Sequence, residues 1–258
     1  MNARRVRRVA LGMACATLGG LIYFRGNDLA LALESDVPSH SVGRKADGRL
    51  EHGKRLPSDG ANFVAYSRLG ALLGRGSVHS TVRAVVLDAY RELERTAPGV
   101  TFIYGETGWP RGGRIRPHRT HQNGLSVDFM VPVRDADGRP ARLPTTPWTK
   151  FGYAIEFDSA GRAGGLEIDF EAMAAHLVAI ERAARRHGVE IELVILAPEL
   201  TAMLQRTPAH GALARRLPFM RGRPWVRHDE HYHIDFRIPV DHTPPTSQTP
   251  GQPAAPVP

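Results

Sequence analysis

The chain has 258 residues, 42% of them hydrophobic and 23% charged, and the stretch between its two unusual ends is long enough to bury one sizeable core. The formal net charge is +8, but residues 1–32 hold five arginines and one aspartate and so carry half of it. No basic stripe with interleaved aromatics follows, which excludes nucleic acid as the expected partner, and a single cysteine, Cys15, excludes an internal disulfide or a thiolate metal site.

Arg4, Arg5, Arg7 and Arg8 precede an apolar run from Val9 to Phe24, the pattern of an export signal or a short membrane anchor. The run is shorter than the roughly 20 residues of a comfortable membrane span. Ala30-Leu31-Ala32 offers a small-residue cleavage site, so residues 1–32 are expected to be a signal peptide or membrane anchor, with the cleaved and retained forms both open. The expected location is the periplasm or cell envelope.

Residues 33–60 read as an irregular, Gly-rich and charged lead-in. Val78, Val82, Val85, Val86, Ala89, Tyr90 and Leu93 recur at helical spacing up to Pro98-Gly99. A second helix is predicted from an Asp169 cap to Gly188, burying Phe170, Met173, Leu177 and Ile180. Strands are predicted near 100–104, 125–131, 151–157, 190–196 and 231–238. Helices on one side of such strands give an α+β domain with a mainly antiparallel sheet, spanning 33–240. Residues 241–258 are rich in Pro, Thr, Ser and Gln, the composition of a disordered tail.

Two histidine clusters stand about a hundred residues apart, one from His118 to Asp128 and one from His228 to His233. On a strand, His231 and His233 share a face while Tyr232 and Ile234 point the other way. Asp128 alternates with Leu125, Val127 and Phe129 and lies on the face opposite to them. Gly124 permits a sharp turn into that strand, letting His121 fold back towards Asp128. Neutral imidazoles and a carboxylate are the donors a catalytic zinc needs, and His121, Asp128 and His233 would leave a fourth position for water. Any one of these histidines alone carries little weight, since a solvated strand face displays His-x-His as readily.

The residues also carry a family resemblance. Gly112-Gly113-Arg114, then His118-x-x-His121-Gln122-x-Gly124-Leu125-x-Val127-Asp128, then Trp225-x-x-His228-Asp229-Glu230-His231-Tyr232-His233, and upstream Gly48-Arg49-Leu50 through Leu56-Pro57, resemble the penicillin-insensitive murein endopeptidases. That family is a branch of the LAS-type zinc metallopeptidases, and the resemblance runs from about residue 41 to 239. It implies a LAS metallopeptidase-like fold for the zinc metallopeptidase domain over 33–240, and peptidoglycan as the partner. The implied reaction is hydrolysis of D-Ala–meso-diaminopimelate cross-links.

The resemblance puts Zn2+ on His121, Asp128 and His233, makes His231 the leading candidate for a catalytic base or transition-state stabiliser, and lines the site with His118 and His228. Glu230, three residues before His233, stands where related D,D-peptidases carry a catalytic Glu. Strand alternation turns it away from His231 and His233, so it ranks second, its other roles being a solvated charge or an acceptor that orients a metal-ligand imidazole. Arg114 on its Gly-rich loop can hold a peptide carboxylate or be a solvated loop charge. Trp225 can wall the cleft or simply pack. Asp229 either orients His228 or faces water. A D,D-carboxypeptidase or dipeptidase on the same metal site, and a non-catalytic wall-binding module, are the alternatives.

Overall fold

The computed structural model describes residues 3–213 and 215–239; the predicted tail over 241–258 lies outside the described residues. A five-stranded sheet organises the domain: β1 (Phe63–Ala65), β2 (Phe102–Tyr104), β3 (Ser126–Met130), β4 (Glu190–Ile195) and β5 (His231–Arg237), in the order β4-β5-β3-β2-β1. Every neighbouring pair is antiparallel except β1 and β2. The long helices are α1 (Ala3–Ala32), α2 (Ser80–Thr96) and α3 (Phe170–Arg186). The class is α+β, as the alternation of patterns predicts.

The strand period sorts residues onto two faces. Val127 and Phe129 of β3, with Tyr232, Ile234 and Phe236 of β5, are buried in the hydrophobic core. Helices α2 and α3 cover this face: Phe63 stacks on Tyr90 at 4.4 Å between ring centroids, and Phe129 meets His176 of α3 at 4.6 Å. The helix ends follow from local chemistry. Asp169 accepts from Ala172 N at 3.0 Å to start α3, and Gly188, at φ 65°, follows its end. Helix α2 is capped by His79, whose ring accepts from Thr81 N at 3.1 Å.

The opposite face carries Ser126, Asp128 and Met130 against Asp235, His233 and His231, the register partners across β3 and β5. Each of these six side chains is buried as well. This face is covered by loops, chiefly residues 105–124 and 144–157, and by the approach to β5.

Two expectations change. Residues 33–60 are not irregular: His40–Arg44 and Asp47–Glu51 pair as an antiparallel hairpin, with Gly43 at φ 73° near its turn. The hairpin's apolar content is low, so the pattern that marks strands is weak there; its role is to clamp the histidine loop. Leu50 N donates to Arg111 O, Gln122 N to Lys45 O, and Ser41 Oγ to Asn123 O. The strand predicted over 151–157 is instead a 3-10 turn, Pro147–Gly152, followed by irregular chain. Pro147 opens the turn inside a Thr146–Thr149 capping box, and Lys150 and Phe151 take positive φ. The alternating Phe151, Tyr153, Ile155 and Phe157 do bury apolar surface, but from a loop that pairs with no strand.

Helix α1 is one continuous helix with most of its described residues exposed, docked at its C-terminal end by Asn27, which donates to Leu56 O at 3.0 Å. No described helix is long and apolar enough to cross a membrane.

His176 supplies a test of this packing. It is fully buried among Tyr90, Phe102, Phe129 and Tyr232, accepts the Tyr232 hydroxyl at 2.8 Å, and burial lowers its pKa to about 3. Below pH 6.5 the unfolded chain protonates this ring while the folded chain does not, so stability is full above that pH and falls as pH drops towards 3. The expected slope is about 1 kcal/mol per pH unit. In urea titrations at pH 7 and pH 5, a His176→Phe variant should be less stable at pH 7 but lose less between the two; an equal loss would contradict this account.

Candidate metal centre

The floor of the site is a cross-strand pair. Asp128 sits opposite His233 in the β3–β5 register, and their atoms Oδ1 and Nδ1 lie 2.9 Å apart. His121 arrives from the loop before β3, its Nε2 3.2 Å from the same Asp128 oxygen and 3.1 Å from His233 Nδ1. Two backbone features bring it there. His121 itself takes φ 68°, and Gly124 takes φ 77° where a Cβ would stand 2.7 Å from Leu50 Cδ2 and 2.8 Å from His79 N.

Each ring is held from outside by an acceptor. His121 Nδ1 donates to the Thr107 carbonyl at 3.0 Å, and His233 Nε2 donates to Asp235 Oδ1 at 2.9 Å, so the inward nitrogen of each faces the floor, with a lone pair on neutral His121 and, on His233, one that a bound cation would free by displacing its proton. Asp235 is fixed in turn by the Ser126 hydroxyl at 2.5 Å. Asp128 Oδ2 accepts from Tyr153 OH at 3.1 Å, and that phenol oxygen accepts from Glu106 N.

Charge at the floor matches a cation. Burial works against an ionised Asp128, but His121 and His231 outweigh it and hold its pKa well below the usual carboxylate range. Burial likewise opposes a charged His233, yet Asp235 and then Asp128 raise its pKa to about 10. The surroundings that hold a proton on His233 are suited to a metal ion. A tetrahedral zinc with bonds near 2.05 Å separates its donors by about 3.3 Å, close to the spacing of these three atoms. His118, His121 and Asp128 also offer one ligand atom each within 4.8 Å of one another.

Two more imidazoles flank the floor, each against a glutamate. His231 Nδ1 donates to Glu230 Oε1 at 3.0 Å, leaving Nε2 3.8 Å from Asp128 Oδ2. Burial outweighs the pull of Asp128 and lowers the His231 pKa to about 4, so the ring is neutral at pH 7. Glu230 therefore does not turn away from its neighbour. The strand begins at His231, alternation does not reach Glu230, and burial raises that carboxyl's pKa. On the other side His118 Nε2 lies 2.8 Å from Glu106 Oε2 and Nδ1 lies 3.7 Å from Asp128 Oδ2. Burial opposes the charged His118, but Asp128 and Glu106 outweigh it and raise its pKa. Glu106 is shared with Arg75 and with Tyr66 OH at 3.0 Å.

These groups open into a cleft of about 420 Å³. His118, Trp225, His228, Glu230, His231 and His233 line it; His121 and Asp128 lie beneath, both fully buried. Burial, then the neighbouring His231, lowers the His228 pKa to about 4. Trp225 is 41% exposed and edge-on to His228 at 6.4 Å, a wall rather than core. Arg114 is exposed and is not among the lining residues; Arg119, Lys150 and Arg227 are. Asp229 does not orient His228. It accepts from Phe157 N at 2.6 Å and pairs with Arg227, tying down the loop, while His228 Nδ1 donates to Val226 O.

Sequence reasoning missed Glu106, Thr107, Tyr153 and Asp235. Asp235 had a local signal, since it lies two residues beyond His233 on the same strand face. The other three come from distant loops and had none.

The family model of the penicillin-insensitive murein endopeptidases matches residues 41–255. The chain belongs to that family. It is a peptidase family, and membership together with a histidine–aspartate cluster able to hold a metal ion supports peptidoglycan hydrolysis. No match is found among curated proteins.

The loop geometry is open to test at Gly124. Gly124→Ala combines a positive φ with a backbone contact that cannot yield, so it should cost about 2 kcal/mol or more of unfolding free energy. Denaturant titration measures this, and a variant as stable as the parent would show that the turn does not constrain His121.

Proposed function

We propose that this peptidase is a zinc-dependent endopeptidase that hydrolyses the D-Ala–meso-diaminopimelate cross-links of peptidoglycan. The observation that carries the reading is the close approach of His121 Nε2, Asp128 Oδ1 and His233 Nδ1, all within 3.2 Å, beneath an open cleft. In the proposed assignment these three hold the zinc. Bound there, the ion supplies Lewis acidity towards a peptide carbonyl and lowers the pKa of a water.

The remaining work falls to the protein. His231, with Nδ1 committed to Glu230, presents a neutral Nε2 to the floor and takes the proton of the attacking water. His118, polarised by Glu106, stands on the other side of Asp128, where its proton can stabilise negative charge on a carbonyl oxygen or pass to a leaving amine. Tyr153 and Asp235 keep Asp128 and His233 from rotating, and Trp225 and His228 wall the peptide in. The basic, apolar amino terminus supports export, so the site of action in this reading is the periplasm or cell envelope; finding the chain in the cytoplasmic fraction would contradict that part.

Mass spectrometry of peptidoglycan incubated with the zinc-loaded full chain reads the bond directly. The expected outcome is loss of cross-linked dimers with matching gain of monomers, abolished by a chelator and indifferent to β-lactams. Release of terminal D-Ala alone would favour the D,D-carboxypeptidase alternative. His121→Ala, Asp128→Ala and His233→Ala should each lose stoichiometric zinc by elemental analysis; full occupancy in all three would refute the ligand set.

Base and orienting residue separate by kinetics. His231→Ala should keep its zinc and lose about 10²- to 10⁴-fold in turnover. Glu230→Gln keeps an oxygen that can accept from His231 Nδ1 but removes the negative charge beside that ring and Arg227, and should cost about tenfold. If Glu230→Gln is inactive while His231→Ala is not, proton transfer belongs to Glu230.

A further inference from the structure

Three cations line the cleft, and they are not equivalent. Arg227 is committed to the protein: it pairs with Glu156, Asp229 and Glu230 and donates to the carbonyls of Tyr153 and Ile155. Arg119 and Lys150 have no carboxylate within 4.0 Å among the described residues. Arg119 instead lies over the Trp225 ring, 5.4 Å from its centroid. Lys150 sits at φ 47° on the capped turn, a conformation that costs a non-glycine residue energy and fixes where its side chain departs.

The acidic groups of the same cleft are already occupied. Glu106 is held by Arg75 and His118, and Glu230 by His231. Between Glu106 and Asp128 the sequence has no acidic residue but four arginines, Arg111, Arg114, Arg116 and Arg119, all exposed. The loop that delivers His118 and His121 is therefore a one-signed cationic rim.

We propose that Arg119 and Lys150 form a carboxylate-binding subsite at the mouth of the cleft, selecting peptides that bear a free carboxylate beside the scissile bond. This rests on the peptidase reading above. A guanidinium lying on an indole is restrained while its N–H groups remain free for a bidentate carboxylate, and Lys150 supplies a second, more adaptable charge. Arg111, Arg114 and Arg116, without direct contact, add long-range attraction that salt screens. The subsite gives Arg119 the role that the sequence suggested for Arg114.

The test is calorimetric binding to the full chain with chelator present, so that no hydrolysis intervenes. The ligands are a synthetic cross-linked muropeptide with a free carboxylate next to the scissile bond and the same peptide with that group as carboxamide. The acid should bind about five- to tenfold more tightly than the amide, a preference that shrinks as salt rises. Arg119→Gln and Lys150→Gln should each reduce the preference without weakening the amide, and Arg114→Gln, which removes only a distant charge, should reduce it far less than either. Equal binding of the two peptides by the parent chain, no binding of either, or a full preference retained in both cleft variants would overturn the proposal. Hydrolysis after zinc is restored is read separately: acid-selective binding without hydrolysis would sink the peptidase reading and leave the subsite standing.

Discussion

The site depends on the outer hydrogen bonds of its histidines. An imidazole can direct a lone pair inward only if its proton is held elsewhere, and here each ring has a partner for that proton. Thr107 O serves His121, Asp235 serves His233, Glu230 serves His231, and Val226 O serves His228. In a buried floor these bonds fix which nitrogen of each ring faces inward before any ligand arrives, because a mispaired N–H there has no water to turn to. Removing one acceptor reorients or reprotonates a ring without touching the floor itself.

That arrangement demands a rigid platform, which the antiparallel β3–β5 pairing supplies. Cross-strand neighbours on one face bring Asp128 against His233 and Ser126 against Asp235 with no loop involved. The other face, with Phe129, Tyr232 and Ile234, is sealed by α2 and α3, so the strands cannot rotate without opening the core. Helix and site are coupled through more than packing. His79 caps α2 and its N–H donates to Gly124 O, tying the start of the helix to the turn that delivers His121.

Loops finish the site, and they are held by elements of little apolar content. The hairpin over 40–51 clamps the histidine loop through backbone bonds, and the 147–152 turn positions Tyr153 and Lys150. Hydrogen bonds rather than buried area set the hairpin, whereas Phe151 and Tyr153 add packing on the core to the bonds of the turn. A pattern reading of hydrophobic periodicity is blind to them: it left 33–60 without structure, and it took the apolar alternation of 151–157, which belongs to a loop packing on the core, for a strand.

The sequence by itself determined the α+β class, the two long core helices, the shared face of His231 and His233, and the opposition of Asp128 to its apolar neighbours. All of these follow from 3.6- and 2-residue periods, which act over a few positions and need no knowledge of the rest of the chain. Only the tertiary structure decided that Glu230 faces His231, because alternation holds inside a strand and β5 begins one residue later. It also decided that Glu106 and Tyr153 join the floor, that Arg119 and Lys150 rather than Arg114 line the cleft, and that Asp229 holds a loop. These contacts join residues tens of positions apart through loops, where side-chain direction is set by the packing of the whole domain and leaves no periodic trace in the sequence.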